Sequence, residues 1–319
     1  MSFRRTPRRR VSLRRLTLIA VVVGVAAGTF AISTDTLGAG HLFERALDRI
    51  DRFIAGPVPD RPTVGTVLVT SPPETPAPTA MPTRRPGPSA GVATSGPIST
   101  PSPSPTPTPT PARVPVDVDI VTDHEAVFAH ELKDTWCAPA GVQMTLAVLG
   151  LADTSDEVQQ ELQSRVREWE SYDDSHNGKW GPSAMVLALE AYGATGYEVR
   201  GYETRQDALR DAAVAVQSTN SPVILLAWRG AHTWVMTGYR ADADPAYFPD
   251  ATVEGAYVLD PWYPWVSSIW GPSDPPGTFQ DAAEMERNYL RWKRPEGLYA
   301  DRDGLFISVV PTIEVSPPS

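Results

Sequence analysis

An α+β domain is predicted over residues 116–319, with N-terminal helices packed on an antiparallel sheet drawn from the C-terminal half. Three observations predict it. Helical periodicity dominates residues 137–216, and short runs rich in Val, Ile, Leu and aromatics follow residue 222. Helices first and strands afterwards mark α+β order, not an alternating α/β one. All nine tryptophans lie between Trp136 and Trp292, so the core belongs to these roughly 200 residues, a normal size for one domain.

Each element has a local reason. Residues 116–121 alternate Val and Ile with Asp, an extended entry. Residues 137–149 carry Val142, Leu146 and Leu149 at helical spacing. Residues 156–170 begin acidic and end with Arg165 and Arg167, as a helix dipole prefers. Residues 171–181 are polar and glycine-bearing, a loop. Residues 182–192 open on Pro182 and stop before Gly193. Residues 197–202 read as a strand, and Thr204 caps a helix over 205–216. Strands are expected at 222–228, 232–239, 256–260 and 305–310.

The preceding residues have another character. Residues 1–15 carry Arg4, Arg5, Arg8, Arg9, Arg10, Arg14 and Arg15, and residues 16–33 are uncharged and apolar. As a helix that run is roughly 27 Å long, close to a hydrocarbon core of about 30 Å. The basic block keeps to the cytoplasm, so the rest faces outward. A single-pass anchor is expected, with a cleaved secretory signal as the alternative. Residues 34–55 form an amphipathic juxtamembrane segment, with Phe43, Leu47, Ile50 and Ile54 on one face; it suits the membrane surface, a second copy, or a solvated extension of the anchor. Eighteen of the 33 prolines fall in residues 56–115, which are expected to be a disordered, extended tether holding the domain away from the membrane. Its Ser and Thr among prolines suit O-glycosylation.

Net charge is −10 overall, but after residue 112 there are 15 Lys and Arg against 32 Asp and Glu, a balance of −17. Such acidity excludes a phosphate-neutralising nucleic-acid partner. The histidine and acid spacings fit no metal motif, so neither metal nor cofactor is expected.

Chemistry centres on Cys137, the only cysteine. At the first turn of a helix, unpaired N–H groups and the dipole favour thiolate, the nucleophilic form. A cysteine nucleophile needs a base, and among the five histidines only His232 opens a strongly apolar strand. Asp260 ends another strand and is placed to orient it. Trp228 and Trp234 are assigned to core packing, and the aromatic run that begins at Trp262 to a cleft rim.

Thr135-Trp136-Cys137-Ala138-Pro139-Ala140, the 222–239 segment with His232, and Leu259-Asp260-Pro261 together resemble the papain-fold cysteine peptidases, closest to the bacteriocin-processing leader peptidases. The resemblance implies a papain-like fold, with Cys137 as nucleophile, His232 as base and then acid, and Asp260 as orienter. Two positions depart from the family. Ala138 replaces a glycine, and Glu131 replaces a glutamine whose amide stabilises the oxyanion. An ionised carboxylate cannot donate there. Glu131 must be held protonated, or His130 must supply the donor, or the domain is a weak or silent catalyst.

Two functions follow. One is a membrane-anchored, outward-facing thiol hydrolase acting on a peptide or cell-envelope amide bond. The other is a catalytically silent module on the same fold that binds a peptide or wall fragment. The Cys, His, Asp order favours the first and Glu131 the second. Oligomeric state is not legible.

Overall fold

The computed structural model describes residues 39–70, 112–176, 179–293 and 298–315. The basic segment, the 16–33 anchor or signal, and residues 71–111 of the expected tether lie outside the described residues. Among the described residues no helix is long and apolar enough to cross a membrane.

The chain begins with helix α1 (Ala39–Ala55) and strands β1 (Thr66–Val69) and β2 (Val116–Asp119). Helices α2 (His124–Val127), α3 (Cys137–Val148), α4 (Asp156–Ser164) and α5 (Pro182–Ala191) follow. Then come β3 (Tyr197–Tyr202), α6 (Arg205–Thr219), β4 (Val223–Leu226), β5 (His232–Ala241) and β6 (Val253–Leu259). A small hairpin of β7 (Val266–Ser267) and β8 (Gly271–Pro272) precedes β9 (Thr278–Asp281), α7 (Ala282–Asn288) and β10 (Phe306–Pro311).

Eight strands make one sheet in the order β1-β3-β10-β4-β5-β6-β9, and β2 lies on β5 beyond β4. The sheet is mixed, because β1 runs parallel to β3 while the other pairs are antiparallel. This corrects the purely antiparallel expectation. Strand alternation splits the core in two. Ile224, Leu226, Val235 and Leu259 meet Val142, Leu146 and Leu189 of α3 and α5 on one face. Val223, Leu225, Trp234 and Met236 meet Leu209 and Val216 of α6 on the other. Helices therefore cover both faces of the sheet.

Local chemistry fixes the ends of the helices. Pro182 starts α5, and the buried Asp174 accepts from the N–H groups of Ser183 (3.1 Å) and Ala184 (2.9 Å), two donors that the helix cannot satisfy itself. The Thr204 side chain accepts from Asp207 N–H at the start of α6, and Asn220 closes that helix in the left-handed region at φ 50°.

The tether expectation fails at its N-terminal end. Residues 57–70 belong to the domain, where β1 adds an edge strand to β3. Ahead of it, Tyr172 N–H donates to Pro59 O (2.9 Å) and Val64 N–H to Ser183 Oγ (2.7 Å). Proline density hid the Thr-Val-Leu-Val run, whose β-branched residues suit an edge. Strands β1 and β2, on either side of residues 71–111, lie in one sheet, so the domain includes chain from both sides of that segment.

Asp174 also pairs with Arg302 at 3.1 Å, with both side chains almost inaccessible. Burial still pushes the Asp174 carboxyl above its usual range. Removing the cation strands a buried acid, so Arg302→Ala is expected to cost about 3–5 kcal/mol, read from urea denaturation midpoints.

Candidate active site

His232 is the first residue of β5, and Asp260 follows the last residue of β6. The two strands pair antiparallel with Val235 opposite Leu259, which sets the two side chains at one end of the sheet. His232 Nε2 lies 2.7 Å from Asp260 Oδ1, and both side chains are buried. A carboxylate only accepts, so Nε2 carries the proton and Nδ1 is left with its lone pair. The same Asp260 oxygen accepts from Trp262 N–H at 2.9 Å.

Cys137 is the first residue of α3, and its Sγ lies 3.9 Å from Ala231 O. Cys137 and His232 line one cavity of about 480 Å³. The structure thus brings the three predicted residues to one place. It does not make the thiol acidic. Burial pushes the thiol up to about 12, and the hydrogen bonds with the Thr233 side chain and backbone work against it without offsetting it. The thiolate expected from the helix dipole is therefore corrected: the resting group is a thiol, because burial outweighs the dipole.

Glu131 sits in a clamp. Gln159 of α4 accepts from Leu132 N–H (2.8 Å) and donates to His130 O (3.0 Å), while Glu131 N–H donates to Pro261 O (3.0 Å). The Glu131 side chain is fully buried, and neither carboxyl oxygen has a hydrogen-bond partner. Burial pushes its carboxyl well above the usual range, with Asp260 and Asp134 adding to the rise. Burial thus favours the protonated form, the first of the alternatives open in the sequence. His130 is not a spare donor, since its Nδ1 binds Tyr263 O at 2.7 Å and Pro261 O at 3.1 Å.

Sequence reasoning missed the aromatic housing of the imidazole. Trp228 stacks on His232 at 3.9 Å between centroids, so its role extends beyond core packing. Trp270 stacks on the far side of Trp228, and Trp262 stands edge-on to both Trp228 and His232. Trp228 Nε1 donates to Asn288 Oδ1 (3.0 Å), which anchors the indole to α7. The turn that aims it holds Trp228, Arg229 and Gly230 at φ 50°, 63° and 80°. Non-glycine residues adopt that region only when their surroundings enforce it. At Gly230 a Cβ would fall 2.2 Å from the Trp292 ring, so the close approach requires glycine. Trp262 lines the cavity as a rim residue, and Trp234 packs in the core facing α6, both as the sequence suggests.

A family model described as the Peptidase_C39-like family matches residues 117–295, more than half of the chain. The chain belongs to this family. It is accordingly a cysteine peptidase by family, and the papain-like resemblance read from the Cys137, His232 and Asp260 segments agrees with that placement. No curated protein matches the chain. A solved structure, described as a double glycine motif protease from an AMS/PCAT transporter in complex with the leader peptide, is similar over 62% of this chain and 99% of that one. The identity is 14% and the TM-score 0.31.

For this member of the Peptidase_C39-like family, two measurements check the electrostatics. With the folded pKa of Glu131 raised, the folded state binds more protons than the unfolded one above about pH 4.3. Its stability contribution is full below that pH and is lost as pH rises toward the folded value. Glu131→Gln removes this loss, so its melting temperature is expected to exceed the parent's by a margin that widens from about pH 4.5 to pH 8. Iodoacetamide labelling of Cys137 is expected to stay slow at pH 5–7 and to climb steadily to about pH 9, without the acid-side plateau of a thiolate–imidazolium pair.

Proposed function

We propose that this chain is a membrane-anchored, outward-facing peptidase that cleaves a peptide bond through a thioacyl-enzyme on Cys137. One observation carries the reading: Cys137 and His232 line the same cavity, and the imidazole is fixed by Asp260 at 2.7 Å. His232 Nδ1 takes the thiol proton as Sγ attacks the substrate carbonyl carbon. The tetrahedral intermediate collapses to a thioester, and the imidazolium gives its proton to the leaving amine. A water molecule, deprotonated by the same imidazole, then hydrolyses the thioester and returns the thiol.

The high thiol pKa makes this proton transfer part of the reaction, because no standing thiolate is available. The Cys137 N–H, at the start of α3, supplies one donor to the oxyanion. A protonated Glu131 can donate where an ionised one cannot, which removes the electrostatic objection to catalysis. Trp228 and Trp262 shield the imidazole and keep the His232–Asp260 bond out of water. An indole face also attracts the imidazolium that forms in the first step.

The anchor rests on the apolar run at 16–33 and the arginines before it. The silent binding module has one observation in its favour, a neutral thiol beside a buried acid.

A peptide library incubated with the full chain and read by mass spectrometry separates the two. Cys137→Ala is expected to abolish cleavage, and His232→Ala to lower it by at least about 10³-fold. Asp260→Asn is expected to fall between the parent and His232→Ala. Peptide capture without cleavage, equally tight in Cys137→Ala, would instead establish the module.

A further inference from the structure

Helix α1 is mounted the wrong way round for a domain helix. Surface helices normally turn their apolar stripe inward. Here Arg45, Arg49 and Arg52 face the domain and rim the cavity that holds Cys137. Arg45 Nε donates to the buried Asp134 Oδ2 at 3.1 Å, and Arg167 donates to Ala55 O at the C-terminal end of the helix. The opposite face leaves Phe53 and Ile54 87% and 76% exposed, with Phe43, Leu47 and Ile50 exposed beside them. Phe43, Leu47, Ile50 and Ile54 form a continuous stripe at helical spacing, roughly 160° from the arginines, and Phe53 lies at its edge.

The chain itself points to what covers the stripe. The uncharged run 16–33 ends five residues before Ala39, and five or six extended residues reach at most about 20 Å. An apolar helix face pinned within that distance of a bilayer has the lipid as its nearest apolar phase. Charge agrees. The domain after residue 112 carries −17 and would be repelled by anionic headgroups, while the arginines of α1 lie between the stripe and that acidic body. A second copy fits less well, because five side chains on a helix about 25 Å long make a small stripe against the roughly 800 Å² per partner of a stable specific interface.

We propose that the apolar face of α1 lies in the headgroup region of the bilayer and holds the mouth of the catalytic cavity at the lipid surface. This rests on the membrane-anchored reading above. It follows that substrates reach the thiol along the membrane, where a peptide emerging from or lying on the bilayer is already concentrated.

The test uses the full chain in vesicles of phosphatidylcholine and phosphatidylglycerol. Cys137→Ser is combined with Phe53→Cys, with Ile54→Cys, or with Tyr247→Cys as an exposed control away from α1, and each cysteine carries a nitroxide. Oxygen and a water-soluble nickel chelate then compete to relax the spin. At positions 53 and 54 the oxygen-to-nickel accessibility ratio is expected to exceed that at 247 by at least about 3-fold, as for a group seated in the interface. A water-like ratio at 53 and 54 in a chain that floats with the vesicles overturns the docking and leaves the anchor intact. Low accessibility to both reagents means a protein partner and also overturns it. A chain that does not float at all overturns docking and anchoring together.

Discussion

The buried hydrogen bond from His232 to Asp260 is the interaction on which the site depends, and the sheet exists in the form that makes it. Neither residue is near the other in sequence; 28 positions separate them. Pairing β5 with β6 in antiparallel register places the start of one strand beside the end of the other. A shift of one residue would turn either side chain to the opposite face. The register is secured because Val235 and Leu259 belong to the core under α3, while Trp234 and Met236 belong to the core under α6. Two hydrophobic layers thereby fix the position of one polar contact.

Around that contact the protein sets burial against charge. A helix N-terminus is worth about 0.3–1 kcal/mol to an anion, rising to about 2 in favourable geometry. The rise of the Cys137 thiol from 9.0 to about 12 corresponds to something on the order of 4 kcal/mol. Desolvation therefore wins over the dipole. The same desolvation raises the Glu131 carboxyl well above its usual range and favours its neutral form beside the thiol.

Much of this was legible in the sequence, for reasons that differ by element. The helix behind Pro182, the helix after Thr204 and the strands at 197–202 and from residue 232 carried strong local signals: a proline at a first turn, a threonine cap, and apolar runs of strand length. That Cys137, His232 and Asp260 would meet was legible because Cys137 is unique and His232 alone opens an apolar strand. The burial of Glu131 was not, since it depends on Gln159 and Pro261 holding residues 130–132 from two distant segments. Nor was the stacking of Trp228 on His232, which requires a left-handed turn that composition does not signal. Strand β1 was hidden by its proline-rich neighbours, and its partner β3 lies about 130 residues away.

That strand also changes what a break in the chain would mean. Strand β1 lies before residues 71–111 and β2 after them, and both pair within one sheet, so a cut among those prolines severs the backbone while both flanks stay paired. The N-terminal fragment would remain zipped to β3 and clasped through Arg61 to Glu168 O and Arg167 O. Separation of the two fragments would then be governed by the peeling of one edge strand, not by the cut itself.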